Sequence, residues 1–249
     1  MLGIIGGSGL YSLDSLHLLE TIDANTHYGK PSSPLHIASS DEEHSEQNQQ
    51  VKIAFISRHG LDHSIPPHKI NYRANIQSLA DNGVTQIISI NAVGACNANL
   101  AVGQIIMPVQ LIDYTYGREH SFFDSLESFD NHIDFTLPFS GELQQRIQAT
   151  AAALAIDILI EGTYACMQGP RLETAAEVRR IMNDGCDVIG MTAMPEAALA
   201  RERGIDYISL CIVVNPAAGI EGDSINTEDI PHILADAMQS VEKIITAQI

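Results

Sequence analysis

Arg58 and His59, in the stretch ISRHGLDH, directly follow a short apolar run. A guanidinium beside an imidazole at the carboxyl end of a buried strand is suited to gripping an anion. Ligands of open α/β sheets bind beyond those strand ends. The chain has only 13 Lys and Arg against 31 Asp and Glu, a net charge of −18, so a basic pair there is informative. The plainer alternative is an Arg paired with a carboxylate beside a structural His. Three more stretches repeat the theme. In GIIGGSGL a strand, Leu2 to Ile5, runs into Gly6-Gly7-Ser8-Gly9. In SINAVGAC a strand is expected to end at Asn91-Ala92, before Gly94. In MTAMPE, Met191-Thr192 stands at a strand end and Pro195 opens a helix. Glycines let backbone N–H groups approach an anion closely, and Ser8 adds a hydroxyl. One such end is weak evidence and could be a tight turn. Four together describe one phosphate-sized pocket.

The glycine cluster does not fit a dinucleotide. That fingerprint needs G-x-G-x-x-G after a strand. Gly7-Ser8-Gly9 supplies its first half, but Ser12 stands where the third glycine belongs. No G-x-x-x-x-G-K-[ST] phosphate loop occurs either.

The elements that must position these groups are legible from periodicity. Apolar runs recur at Val51–Ile56, Ile87–Ile90, Ile105–Ile112, Ile156–Ile160, Asp187–Met191 and Tyr207–Val214. They are rich in Ile and Val and hardly alternate, as expected for strands buried on both faces. DNGVTQIISI, NDGCDVIGM and RERGIDYISL share a helix end, a glycine and a strand. Gly83, Gly185 and Gly204 suit the left-handed position after a helix. This alternation predicts an α/β fold with a mixed, mainly parallel twisted sheet flanked by helices, in one domain over 1–249. A last amphipathic helix is expected from about Asp229 to Thr246, with Ile233, Met238, Val241, Ile244 and Ile245 inward. The acidic stretch at 39–50 reads as a solvated hairpin tip or loop.

Composition narrows the setting. A chain of 249 residues can bury a substantial core. It shows no basic-plus-apolar leader and no long uncharged apolar stretch, which predicts a soluble, cytoplasmic protein. Cys96, Cys166, Cys186 and Cys211 have no metal-like spacing, and no metal site is expected. Reduced core thiols fit best. The acidic charge argues against nucleic acid or an anionic membrane as a partner.

With these stretches in view, the chain resembles the trimeric purine nucleoside phosphorylases, and within them the methylthioadenosine phosphorylase branch. GIIGGSGL, SRHG, HKINYRANI, INAVG, SFFD, QGPRLET, DVIGMTAMPE and the Asn215 segment carry the resemblance, from Gly3 to Pro231. It implies a homotrimer with a nucleoside phosphorylase fold. Inorganic phosphate, as co-substrate and without a cofactor, would attack C1′ of a purine nucleoside. It also implies that Ser8, Arg58, His59, Asn91, Ala92 (through its N–H) and Thr192 hold phosphate. Met191 would pack beside the ribose, and His59 and Asn215 would serve catalysis.

The base site departs from the methylthioadenosine branch. Where that branch carries two aspartates in a T-D-Y-D-like stretch, this chain has VVNPAAG, with Asn215 and Ala217 in their places. An amide can donate to O6 and still bond at N7, whereas Ala217 offers an adenine amino group no acceptor. Leaving such a group unpaired costs roughly 1–3 kcal/mol. In QGPRLET, Glu173, beside Leu172, stands where 6-oxopurine-cleaving members carry a glutamate for N1–H. The alternative for Glu173 is an ordinary first-turn helix carboxylate. At the 5′ end, Thr227 replaces the histidine of inosine- and guanosine-cleaving members. That leaves room for a methylthio group lined by Ile230 and Ile233. His132, in NHIDFTLPF, resembles a residue that reaches a neighbouring subunit's 5′ pocket. The combination implies phosphorolysis of a 6-oxopurine 5′-methylthionucleoside. A general inosine/guanosine phosphorylase, a methylthioadenosine phosphorylase, and a nucleoside-binding protein without turnover remain as alternatives.

Overall fold

A computed structural model describes residues 1–7, 16–39, 51–123, 132–139, 141–220 and 229–248. In chain order their elements are β1 (Leu2–Gly6), β2 (His17–Ile22), β3 (Leu35–Ser39), β4 (Lys52–Ser57), α1 (Tyr72–Asp81), β5 (Gln86–Ala95), β6 (Ile105–Ile106), β7 (Gln110–Asp113), α2 (Gly141–Ala153), β8 (Ile158–Leu159), β9 (Thr163–Cys166), α3 (Ala175–Asn183), β10 (Val188–Gly190), α4 (Ala193–Glu202), β11 (Asp206–Pro216) and α5 (Ile230–Thr246).

The strands form one mixed sheet, ordered β2-β3-β4-β1-β5-β10-β9-β7, from which β11, β6 and β8 branch at β5. Six of its pairings are parallel: β1 with β4 and β5, β11 with β5, β10 with β9, β7 with β9, and β6 with β8. The apolar runs fail to alternate because both faces are covered. Ile4, Ile88, Ile90, Leu210 and Ile212 pack with α2 and α5 residues such as Leu143, Met238 and Val241. Their neighbours Ile5, Ile87, Cys211 and Val213 pack on the opposite face with Ile76, Leu79 and Ala197 of α1 and α4. Adjacent residues pointing to opposite faces is ordinary strand geometry.

Two expectations change. Asn91-Ala92 does not end a strand; β5 continues to Ala95. Its first half pairs with β1 and its end with β10, so the strand passes from one part of the sheet to another. The run Ile105–Ile112 is two strands. β6 pairs with β11 and β8, and β7 pairs with β9, because the chain changes partners after Ile106. The strands β2, β3 and β9 carry no apolar run long enough to have been read from periodicity. Gly83, Gly185 and Gly204 adopt φ of 76°, 87° and 66°, as expected after helices. In α5, Met238, Val241, Ile244 and Ile245 are buried while Ile233 is half-buried. Ser39 is a buried strand residue and not part of a loop. Residues 40–50 lie outside the described residues. All four cysteines are buried and unpaired. No helix among the described residues is long and apolar enough to cross a membrane.

Candidate active site

The carboxyl ends of β4 and β10, the latter half of β5 and the end of β11 converge on one cavity of about 520 Å³. Arg58, His59, Asn91, Ala92, Thr192, Met191, Leu172, Glu173, Asn215, Ala217 and Ile230 all line it. His132 is exposed and is not among the lining residues. Ser8 and Thr227 lie outside the described residues. A segment not singled out from sequence, His63 to Pro67, forms a further part of the wall.

Arg58 follows β4, and its backbone N–H donates to the Gly6 carbonyl at the end of β1 (2.9 Å). Its side chain is buried and anchored. Nε donates to Glu196 Oε1 at 2.6 Å, Nη2 to Glu196 Oε2 at 2.9 Å and to Ser89 Oγ at 2.5 Å, and Nη1 to the Ile90 carbonyl at 3.0 Å. Burial alone would lower its pKa, but Glu196 outweighs that and holds it above the ordinary arginine value. Each of the two terminal nitrogens carries two N–H groups, so one Nη1 donor remains for a ligand. Gly7 packs against this corner. A Cβ there would run into the Ile90 carbonyl oxygen and lie 2.7 Å from Arg58 Nη1.

His59 Nδ1 lies 2.8 Å from the Ile65 carbonyl. A carbonyl only accepts, so Nδ1 carries the proton and Nε2 the lone pair. Burial, then the neighbouring Arg58, lowers the imidazole pKa to about 4. His59 is therefore neutral at pH 7.

Asn91 is buried within β5 and fully partnered. Its Nδ2 donates to Ser209 Oγ (2.6 Å) and Ser89 Oγ (3.1 Å), and its Oδ1 accepts from Thr192 Oγ1 (2.6 Å). Thr192 thus sits at the β10 end held by the neighbouring strand β5. Glu196 also accepts from Ser89 (3.0 Å) and from Tyr207 (2.9 Å). Burial first, and then Glu196, raises the Tyr207 phenol well above its usual pKa, so it stays a donor. Periodicity did not assign Glu196, Tyr207, Ser89 or Ser209 a role. The signals were a lone carboxylate in the apolar helix AMPEAALA and two serines, one in each of two apolar strands, that prove to pair in register.

Asn215, against Gly94 of β5, and Glu173 also line the cavity. The β11–β5 register shifts between Val213 and Asn215, leaving Val214 as an extra residue. Such bulges re-aim the side chains that follow. Asn215 Nδ2 donates to the Pro216 carbonyl at 2.6 Å, leaving its second N–H and its Oδ1. Ala217 is buried beside it. Glu173 precedes the N-cap of α3, Thr174, whose capping box uses Glu177. The first-turn role therefore belongs to Glu177, and Glu173 is left on the cavity wall. Burial raises the Glu173 pKa.

A family model described as the phosphorylase superfamily matches residues 1–249. The chain is 44% identical over 240 residues, 96% of its length and 94% of the other's, to a Pseudomonas syringae pv. tomato protein described as a probable S-methyl-5′-thioinosine phosphorylase. It is 38% identical over 253 aligned positions, covering 100% of this chain and 91% of the other, to the 6-oxopurine nucleoside phosphorylase of Pyrococcus furiosus. Among solved structures, methylthioadenosine phosphorylase from Schistosoma mansoni in complex with adenine matches with a TM-score of 0.87 at 28% identity, over 98% of this chain and 89% of that one. Matched from end to end by the family model, and aligned with such relatives over nearly their whole lengths, the chain belongs to the phosphorylase superfamily.

Proposed function

We propose that this chain is a cytoplasmic purine-salvage enzyme that phosphorolyses S-methyl-5′-thioinosine to hypoxanthine and 5-methylthioribose 1-phosphate. The observation that carries the reading is one cavity with two chemically distinct ends. Arg58 and Thr192 bond to Ile90 and Asn91 of β5, whereas Asn215 and Ala217 lie against Gly94 further along that strand, and His59 and Glu173 line the same cavity. Inorganic phosphate is the co-substrate, and the chemistry uses no cofactor. A phosphate oxygen forms a bond to C1′ as the C1′–N9 bond breaks, and the electron pair leaves with the purine. The sugar becomes cationic in the transition state, so a phosphate dianion held beside it stabilises it electrostatically. Fixing both reactants in one cavity supplies proximity. Neutral His59, with its Nε2 lone pair, accepts an O–H from hydrogen phosphate or a ribose hydroxyl. Arg58 offers its remaining N–H to phosphate, and the Ala92 N–H and Ser8 complete that end. Asn215 relieves charge building on the base: its remaining N–H donates to O6, and its Oδ1 accepts from N7–H as a proton from solvent moves to N7 of the leaving purine. Glu173, as a carboxylate, accepts the N1–H.

The absence of an acceptor at Ala217 disfavours adenine, and Glu173 has no N1–H to receive from it. The apolar Ile230 and Leu172 line the cavity and suit a methylthio group, whereas Ile233, expected beside Ile230, does not line it. A general inosine/guanosine phosphorylase shares the 6-oxopurine end and differs only at the 5′ end. The active form is a homotrimer in which His132, exposed on this chain, completes a neighbour's 5′ pocket. Light scattering combined with activity tests this, and a fully active monomer would contradict it.

The discriminating experiment is kcat/KM at saturating phosphate for methylthioinosine, inosine and methylthioadenosine. The expectation is about tenfold or more in favour of methylthioinosine over methylthioadenosine, the value of one buried hydrogen bond. Equal values, or a preference for the adenine compound, would sink the base-site reading. Asn215→Asp with Ala217→Asp is expected to shift the ratio toward adenine.

A further inference from the structure

Beyond β7 stands Arg118, half-buried and outside the cavity lining, whose guanidinium bridges two segments. Nη1 donates to the carbonyls of Met191 (2.8 Å) and Met194 (2.6 Å) and to the Tyr72 hydroxyl (3.2 Å). Nη2 donates to the carbonyls of Met167 (3.2 Å) and Gln168 (2.8 Å), and Nε to Gln168 Oε1 (3.2 Å). The guanidinium also lies over the Tyr72 ring, 5.4 Å from its centroid.

The place of this bridge in the sheet gives it meaning. β9 and β10 pair in parallel up to Cys166 and Gly190, and the Met167 N–H makes one more bond to the Gly190 carbonyl (2.8 Å). Past that point the two backbones separate. One leads through Pro170 and Leu172 to Glu173, the other to Met191 and Thr192, and these form parts of the cavity wall. The carbonyls that Arg118 takes are those just past the split. A planar fork with five N–H donors can span both segments, whereas an ammonium with three donors at one point cannot.

We propose that Arg118 is a positioning residue that fixes the gap between the Met191 wall and the Glu173 wall, and thereby the fit of the nucleoside. The proposal rests on the nucleoside reading of the cavity. It also separates the two ends of that cavity. Thr192 lies between two carbonyls bound by Arg118, but its hydroxyl is held independently by Asn91 and, through Asn91, by Ser209. Loss of Arg118 should therefore loosen the grip on the nucleoside far more than the grip on phosphate.

The test uses the full-length protein and the variants Arg118→Ala and Arg118→Lys. KM is measured separately for methylthioinosine and for phosphate, and backbone hydrogen exchange is followed across 167–174 and 190–195. The expected result is a nucleoside KM raised about tenfold or more in both variants, with phosphate KM within about twofold of wild type. Both segments should exchange faster together, and free guanidinium should recover part of the lost activity of Arg118→Ala alone. A merely structural role would move both KM values in step or neither, and that result overturns the proposal. Unchanged exchange in the two segments overturns it as well. If Arg118→Ala does not fold, Arg118→Lys carries both measurements. If the wild type turns over no nucleoside, the reading of the cavity fails, and hydrogen exchange alone decides whether Arg118 couples the two walls.

Discussion

Arg58 and Glu196 meet as a two-point ion pair at 2.6 and 2.9 Å, with side chains 1% and 0% exposed. The arginine at the proposed phosphate end is thus neutralised from below, and its orientation is set before any ligand arrives. Removing one partner of a buried pair leaves an uncompensated charge and costs ~3–5 kcal/mol, whereas replacing both with apolar groups of similar volume costs much less. Glu196→Ala is expected to lose stability in that range by urea denaturation. The double replacement Arg58→Met with Glu196→Leu should lose less than the two single changes added together. Strict additivity would show that the pair is not coupled.

Gly7 touches the same corner. Its replacement by alanine pushes a methyl group against the Ile90 carbonyl and Arg58 Nη1. Overpacking of this kind costs ~1–3 kcal/mol. Because the displaced group is Arg58, phosphate KM should rise while methylthioinosine KM changes little. A phosphate titration of Gly7→Ala at saturating nucleoside checks this; a shift confined to nucleoside KM places the glycine elsewhere in function.

The His59 pKa, lowered to about 4, couples stability to pH. In the unfolded chain an imidazole takes up its proton near pH 6.5, but the buried one does not until about pH 4. The unfolded state therefore binds more protons as pH falls through that window, and stability drops with it. The loss between pH 7 and pH 5 is about 2 kcal/mol. His59→Gln should lack this component. Urea midpoints of both proteins at the two pH values measure it, and identical pH slopes would show that His59 is not held neutral.

The same imidazole predicts anion selectivity. Nε2 is a hydrogen-bond acceptor, so the anion facing it must bring an O–H. Hydrogen phosphate has one and sulfate at neutral pH has none. Facing a lone pair without a proton costs ~1–3 kcal/mol. Sulfate should therefore inhibit phosphorolysis with an affinity about tenfold or more below that of phosphate, and His59→Ala should narrow the gap. Comparable binding of the two anions by the wild type would show that Nε2 faces the ribose hydroxyl and not the anion.

Much of this molecule was legible in its sequence. Doubly covered Ile- and Val-rich runs determine strands buried on both faces, and a glycine after each of α1, α3 and α4 marks its end. That pattern reaches the sheet without any long-range information. Arg58 and Thr192 could likewise be placed just past strand ends, because the carboxyl edge of a parallel sheet is where loops gather, whereas Asn91, expected at such an end, lies inside β5. Tertiary structure decided how those side chains are spent. Asn91 had all the features of a ligand, yet its amide is occupied by Thr192, Ser209 and Ser89. Sequence left open whether Arg58 meets a ligand anion or a carboxylate of the chain, and Glu196, far along the chain, lies beneath it. Arg118 carried no signal, since nothing local to YGREH announces the carbonyls it meets. Local sequence specifies the backbone's periodicity through sterics and burial. A buried polar group takes its partners from whichever segments the fold brings within hydrogen-bonding distance, and those lie far away along the chain.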